Sequence, residues 1–407
     1  MPRYRLAPTL EQEQTLLGHC AHARYVWNLA VEQHGFWSRH RRGGAPGYSE
    51  QSRQLTAARA EFAWLRAGSQ TVQQQALRDF AQAMGNFFAG THRRPTWRKQ
   101  GVHEGFRQVG VKPHQVERLS RKWGAVLVPK CGWVRFRLSR PVPAGVKSYR
   151  VTRDRAGRWH VAFAHVPPSL PGPGDGTVIG VDRGVTVSAA LSTGDLLKIP
   201  GLTPGETRRL RLLARRLGRA RRGSSRRARL KAALARLRAR ESDRRKNWVE
   251  QTSTMLAHGF EVIGVEDLNI RGMTRSAKGT LERPGRNIAA KAGLNRGILA
   301  GGWAVLVERL EDKAPGRVYK INPAYTSQRC SACRIIDPKA RESQARFRCR
   351  SCGFACNADV NAARNIAHET ALLCTLVDTA AGPAVAARGR PGSPGRTNRE
   401  PQPLLIS

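Results

Sequence analysis

Two kinds of chemistry-bearing residue stand close together late in this sequence. Cys330/Cys333 and Cys349/Cys352 form two CxxC pairs separated by fifteen residues, and seven positions after the last cysteine comes Asp359, at the head of a helix-like run. Two CxxC knuckles at this separation offer four thiolates to one tetrahedral Zn²⁺, and the hairpin between them closes the site. Buried or redox-active cysteines rarely fall into such a double pattern. A zinc ion with four thiolates has no open position for substrate, so the ribbon expected over residues 326–356 is structural and leaves Asp359 unexplained.

Two more acids complete a pattern. TVIGVDRGV (177–185) is an apolar run ending in Asp182, and FEVIGVEDL (260–268) is a second such run ending in Glu266 and Asp267. Side chains alternate along a strand, so only one of two adjacent acids faces a given site. Glu266 stands two residues after a glycine, as Asp182 does, and that parity selects it. A lone acid after a strand is usually a turn residue; the recurrence is what gives this one weight. Asp182, Glu266 and Asp359, each at the end of a separate element, are what two-metal phosphodiester hydrolysis requires. Their oxygens suit two Mg²⁺ or Mn²⁺ ions about 4 Å apart rather than zinc.

The elements that must position these residues read as follows. Residues 1–100 are helical in pattern. Thr9 and Gln12 make a capping box ahead of Leu16, Cys20, Ala23, Trp27 and Ala30; Ser49 is a candidate cap for a second helix; and a third opens near Ser69 with Val72, Ala76, Phe80, Ala83 and Phe87 as its stripe. From 101 to 168 the period changes to two, which predicts several antiparallel strands whose Arg135, Arg137, Arg150 and Arg153 make a basic surface. PPSLPGPGDG (167–176) is a linker. Residues 206–247 carry leucines at helical spacing on either side of Gly223, which predicts two antiparallel helices. Residues 293–314 form a further helix. The Ala, Gly, Pro and Arg-rich stretch 376–407 is expected to be a disordered tail.

Charge sets the partner. With 71 basic and 29 acidic residues the formal net charge is +42, which points to a polyanion, most simply nucleic acid. Within 206–247, eighteen Lys/Arg face only Glu206, Glu241 and Asp243, and such a run repels itself unless phosphates neutralise it. Candidate contacts there are Arg215, Arg219, Arg222 and Arg226. In the loop THRRPTWRK (91–99), Arg94, Arg98 and Lys99 suit phosphate and Trp97 suits a base; a solvated loop with its Trp against the core fits equally well. Arg275 lies in a basic loop after the second acid-bearing strand. The remaining cysteines are scattered, as in a reducing compartment. No apolar run approaches eighteen residues and MPRYRLAPTLEQEQ lacks a signal-peptide core, so a soluble, cytoplasmic protein without a membrane partner is expected.

GVDRGV, VEDLNIRGMTRSAKGT, KAGLNRGIL, NPAYTSQRCSAC and CRSCG with NADVNAARNI resemble the successive motifs of the TnpB (OrfB) proteins of insertion sequences. YRLAPTLEQ, CAHARYVWN and QQQALRDF resemble that family's N-terminal region, so the likeness covers roughly residues 3–370. The resemblance implies an α+β multidomain protein. N-terminal helices and a small β-barrel would precede an RNase H-like (RuvC) nuclease domain over 177–375, with inserted Arg-rich helices and a zinc ribbon. It implies an RNA-guided DNA endonuclease, of a family that also carries the transposase label, whose partners are a guide RNA and target double-stranded DNA. The metal-binding catalytic acids fall on Asp182, Glu266 and Asp359, and the zinc ligands on Cys330, Cys333, Cys349 and Cys352. Two departures stand out. Arg334 replaces the Gly that commonly follows the first CxxC, which predicts strain in that knuckle, and Asn357 replaces more acidic variants. A compact type V CRISPR effector, a non-cleaving RNA-guided repressor and a DNA-strand transferase are the alternatives, and the sequence does not choose between monomer and dimer.

Overall fold

A computed structural model describes residues 3–36 and 44–380. The chain divides into two compact units, Met1–Pro167 with Thr203–Arg240, and Pro168–Leu202 with Glu241–Ser407.

The first unit begins with a strand the helical reading did not foresee, β1 (Arg3–Leu6), followed by α1 (Leu10–Phe36), α2 (Tyr48–Glu61), α3 (Ala63–Ala67) and α4 (Gln70–Phe88). The capping box forms: Thr9 Oγ1 accepts the Gln12 N–H at 3.2 Å and Gln12 Oε1 accepts the Thr9 N–H at 3.1 Å. Ser69 caps α4, but α2 starts one residue before Ser49, with Gly47 as its cap. Leu16, Cys20, Ala23, Trp27 and Ala30 of α1 are buried with Val72, Ala76 and Phe80 of α4, and the Trp27 and Phe80 rings meet edge-on at 5.5 Å.

Strands β2 (Glu104–Val109), β3 (Val116–Arg118), β4 (Trp123–Val128), β5 (Gly132–Arg137), β6 (Ser148–Arg153) and β7 (Trp159–Phe163) join β1 in a seven-stranded antiparallel sheet ordered β2-β6-β7-β1-β5-β4-β3. The period-two pattern puts Tyr4, Phe136 and Phe163 inside, their rings 5.3 to 5.7 Å apart. The four arginines do not share one face, because Arg150 and Arg153 stand at opposite parity on β6, and they are engaged: Arg150 pairs with Asp79 at 2.8 Å, Arg153 with Glu13 at 2.7 Å, and Arg135 and Arg137 lie over the Trp123 ring.

The arginine-rich stretch folds as α5 (Pro204–Arg219) and α6 (Ser225–Gly259). Thr203 and Glu206 form a capping box with Pro204 at the first turn, and Leu213, Leu234 and Leu237 close a small core between the two helices. α6 runs unbroken well beyond residue 247, and its residues from Glu241 belong to the second unit.

The second unit holds β8 (Val178–Asp182), β9 (Ala189–Leu191), β10 (Leu196–Leu197), β11 (Val262–Glu266) and β12 (Val318–Ile321) in one sheet ordered β10-β9-β8-β11-β12. β8, β11 and β12 run parallel, while β9 and β10 are antiparallel. The helices are α7 (Ile270–Met273), α8 (Ile288–Ala300), α9 (Trp303–Lys313) and α10 (Ala358–Ala380), and β13 (Arg346–Arg348) pairs with β14 (Ala355–Asn357) in the ribbon. Ile179, Val181, Ile263 and Val265 cluster with Val249, Leu256, Leu306 and Leu310. The alternate residues Gly180 and Gly264 face α10. A Cβ on Gly180 would sit 2.0 Å from Ala363 O, and one on Gly264 2.0 Å from Thr370 Oγ1, so only glycine admits the helix this close. α10 continues to Ala380, past the expected start of the tail at 376, and residues 381–407 lie outside the described residues. Among the described residues no helix is long and apolar enough to cross a membrane.

Candidate active site and metal centre

β8 and β11 pair in register at Gly180–Gly264 and Val181–Val265, so Asp182 and Glu266, one step further on, end side by side. Asp267 takes the opposite parity and is exposed. Asp359 arrives on the first turn of α10, which Asn357 caps: its Oδ1 accepts the N–H groups of Asp359 at 3.0 Å and Val360 at 3.2 Å. An amide caps here as well as an acid, without adding a fourth negative charge beside the three carboxylates.

Asp182 feels both of the other acids. Burial, then the charges of Glu266 and Asp359, push the Asp182 carboxyl up to about 7, against Arg341 and Arg183. Burial also raises Glu266, opposed by a hydrogen bond from the Thr326 hydroxyl at 2.7 Å and by Arg183. Arg341, from the ribbon, donates to Asp359 Oδ1 at 2.9 Å. Arg183 is 5% exposed and donates to the Glu266 carbonyl, fixing the end of β11. Sequence reasoning passed over Arg183, Thr326 and Arg341; the signals were the presence of Arg183 in GVDRGV and of Thr326 in NPAYTSQRCSAC. Burial and two like charges press Asp182 toward protonation, a pressure that a bound cation would relieve.

The cysteines form a tighter cluster. Among the described residues, the ligand atoms of Cys330, Cys333, Cys349 and Cys352 all lie within 4.8 Å of one another. Cys330 Sγ is 3.7 Å from Cys352 Sγ and Cys333 Sγ is 3.6 Å from Cys349 Sγ, close to the roughly 3.8 Å edge of a tetrahedron with 2.3 Å zinc–sulfur bonds. The donor set therefore fits zinc. The thiols titrate together: the Cys352 N–H pulls Cys349 down, toward the thiolate a metal takes, while Cys333 is pushed up among its sulfur neighbours. Each knuckle turns through a left-handed residue, Gly353 (φ 74°) in one and Arg334 (φ 67°) in the other. Arg334 thus carries the expected strain, and its guanidinium is held by Asn365 at 2.8 Å, His368 at 3.0 Å and Glu369 at 3.2 Å.

The basic candidates are scattered over other elements. Arg215, Arg219, Arg222 and Arg226 are exposed on α5, α6 and the turn between them, and Arg275 is exposed after α7. Arg98 lies 3.7 Å over the Trp27 ring, and burial lowers it to about 10, so this side chain is committed internally. Arg94 donates to His34 O at 3.0 Å. Lys99 is exposed, and Trp97 lines a hollow of about 490 Å³ with Tyr25 and Trp64.

Comparison with known proteins follows this architecture along the chain. Family models match residues 2–36 (helix-turn-helix domain), 160–277 (probable transposase) and 303–366 (Cas12f1-like, TNB domain). "Putative RNA-guided DNA endonuclease InsQ" of Escherichia coli (strain K12) is 32% identical, over 99% of this chain and 97% of its own length. "Putative RNA-guided DNA endonuclease" of Streptomyces pristinaespiralis is 29% identical over 98% of this chain and 95% of its own. The solved structure titled "Cryo-EM structure of the Cas12f1-sgRNA-target DNA complex" matches with a TM-score of 0.51 at 13% identity, covering 88% of this chain and 82% of that one, which is a likeness of fold. Two acid-ended strands in register, a four-cysteine ribbon and 32% identity to InsQ over nearly the full length thus agree, and the chain belongs to the TnpB (OrfB) family of insertion-sequence proteins.

Proposed function

We propose that this chain is a transposon-associated, RNA-guided DNA endonuclease that cuts in a RuvC-like, RNase H-like site. The observation that carries the reading is the pairing of β8 with β11. It sets Asp182 beside Glu266 under a helix bearing Asp359, in a chain of net charge +42. Asp182, Glu266 and Asp359 are the residues that would hold two Mg²⁺ or Mn²⁺ ions, and such ions would supply an activated water and charge stabilisation for the departing oxygen. Thr326 fixes one Glu266 oxygen and leaves the other to bind, while Arg183 keeps the strand end in place. The four cysteines hold one structural zinc.

Residues 177–375 make up the nuclease in this reading, and residues 1–100 with the 101–168 sheet, read as a small β-barrel, recognise nucleic acid. Arg215, Arg219, Arg222, Arg226 and Arg275 neutralise phosphates. Lys99 and Arg94 do the same in the 91–99 loop, whose Trp97 shares with Tyr25 and Trp64 a hollow that suits a stacked base, while Arg98 packs on Trp27. Guide pairing supplies sequence choice, and protein contacts read a short flanking duplex.

The test is to purify the protein with its locus, sequence the RNA that comes with it, and supply a plasmid matching that RNA. Mg²⁺-dependent double-strand breaks that vanish in Asp182→Asn are expected. Guide-independent cutting, or full cutting by Asp182→Asn, overturns the assignment. Joined rather than broken ends identify a strand transferase instead.

A further inference from the structure

On the side of α10 turned away from the glycine contacts, two asparagines near its start are sealed from water. Asn361 is 0% exposed and Asn365 is 1% exposed. A buried amide is costly unless its hydrogen bonds are made, so the partners of these two are informative. Both grip the backbone of one short stretch. Asn361 Nδ2 donates to Arg329 O at 2.7 Å, and its Oδ1 accepts the Ser331 N–H at 2.9 Å. Asn365 Nδ2 donates to Thr326 O at 2.8 Å and to Arg329 O at 2.7 Å, and its Oδ1 accepts from Arg334. At one end of that stretch the Thr326 hydroxyl reaches the Glu266 carboxylate; at the other is Cys330, a member of the four-cysteine cluster.

We propose that Asn361 and Asn365 are positioning residues that carry the geometry of the zinc site to the Glu266 carboxylate. The route is continuous and short. Cys330 fixes the end of the stretch, the two amides hold Arg329 and Thr326 against α10, and the Thr326 hydroxyl orients one oxygen of Glu266. Asp359 sits on the same helix two residues before Asn361, so α10 registers two of the three acids against the ribbon. Hydrogen-bond partners of ligating carboxylates typically alter metal affinity by about 10–100-fold when removed.

The proposal rests on the acid trio being a divalent-ion site, and the experiment separates the two. Mn²⁺ binding to the full-length, zinc-loaded protein is measured by electron paramagnetic resonance, with zinc content and thermal midpoint followed in parallel. Mn²⁺ binding that disappears in Asp182→Asn establishes the acid site; binding indifferent to Asp182→Asn overturns that reading and this proposal with it. With the site established, Asn365→Ala is expected to keep its zinc and bind Mn²⁺ about tenfold more weakly. Thr326→Val, which leaves both amides intact, is expected to show the same loss, and Thr326→Ser to restore binding to within about twofold. Stripping zinc is expected to weaken Mn²⁺ binding in the wild type, and by a smaller factor in Asn365→Ala. If the asparagines merely dock the ribbon, the thermal midpoint of Asn365→Ala falls while its Mn²⁺ affinity stays at the wild-type value, and the proposal fails. Should Asn365→Ala not fold, wild-type affinity in Thr326→Val alone overturns it.

Discussion

The cysteine cluster and the acid trio lie in the same unit and differ in how the chain builds them. Four thiols come from one local hairpin, Cys330 to Cys352, and their spacing follows from two tight knuckles. The three acids come from two strands and a helix, Asp182 to Asp359, and meet only once the sheet has paired and α10 has settled on it. A local site depends on its ion to fold, whereas a non-local one is assembled by the core and bears charge repulsion until an ion arrives.

Zinc removal is the strongest way to test that contrast. Structural zinc contributes on the order of 10 kcal/mol to small domains of this kind, so chelation should unfold the ribbon and depress cleavage, while Mg²⁺ removal leaves the thermal midpoint within a few degrees. One zinc per chain by elemental analysis, lost in Cys330→Ser, checks it. An unchanged fold and activity after complete stripping would erase the distinction. Next in size are Asp182→Asn, Glu266→Gln and Asp359→Asn. Each should cost cleavage roughly a thousandfold or more, about 4 kcal/mol of barrier, with RNA binding and folding nearly unaffected.

Acidity should separate the two centres by sign. Asp182 has an ordinary value of 3.8 and stands at about 7 in the folded chain, so the folded state holds the extra proton. Stability of the ion-free protein is therefore full below about pH 4 for this group and is lost as pH rises through about 7, by about 4 kcal/mol at most. Added Mg²⁺ should flatten that slope. The cysteine centre runs the other way, releasing zinc as falling pH protonates its thiolates. Denaturation midpoints between pH 5 and 8, with and without each metal, measure both arms. Smallest is Gly180→Ala, which should destabilise the second unit by about 1–3 kcal/mol, because Ala363 O is backbone and cannot step aside. Gly264→Ala should cost less, since its neighbour is the Thr370 side chain, and pairing it with Thr370→Ala should recover part of the loss. Urea unfolding resolves these differences.

Legibility followed the same division. The ribbon was readable from spacing, and Glu266 was separable from Asp267 by strand parity, for which the structure supplies the reason: the preceding glycines lie under α10. The residues that hold the acids in place, Arg183, Thr326, Arg341, Asn361 and Asn365, carry no periodic or spacing signal, because each acts on a group that only tertiary folding brings near. β1 was missed because four residues, RYRL, are too short to show alternation and owe their pairing to β5 and β7. Leucine spacing found both arginine-rich helices, but α6 continues past the last arginines because Val249, Leu256 and Ala257 pack in the second core. Arg98 shows the limit of composition: a basic residue in a basic loop is spent on a neighbouring tryptophan.

The seam between Gly180, Gly264 and α10 also orders events in time. The helix that fills it is encoded after both strands and after the ribbon, so a nascent chain exposes an uncovered groove and two unaccompanied acids until residue 359 has been made. In the proposed reading cutting ability therefore waits on α10, and a product that stops before residue 359 lacks the third acid and is expected not to cut.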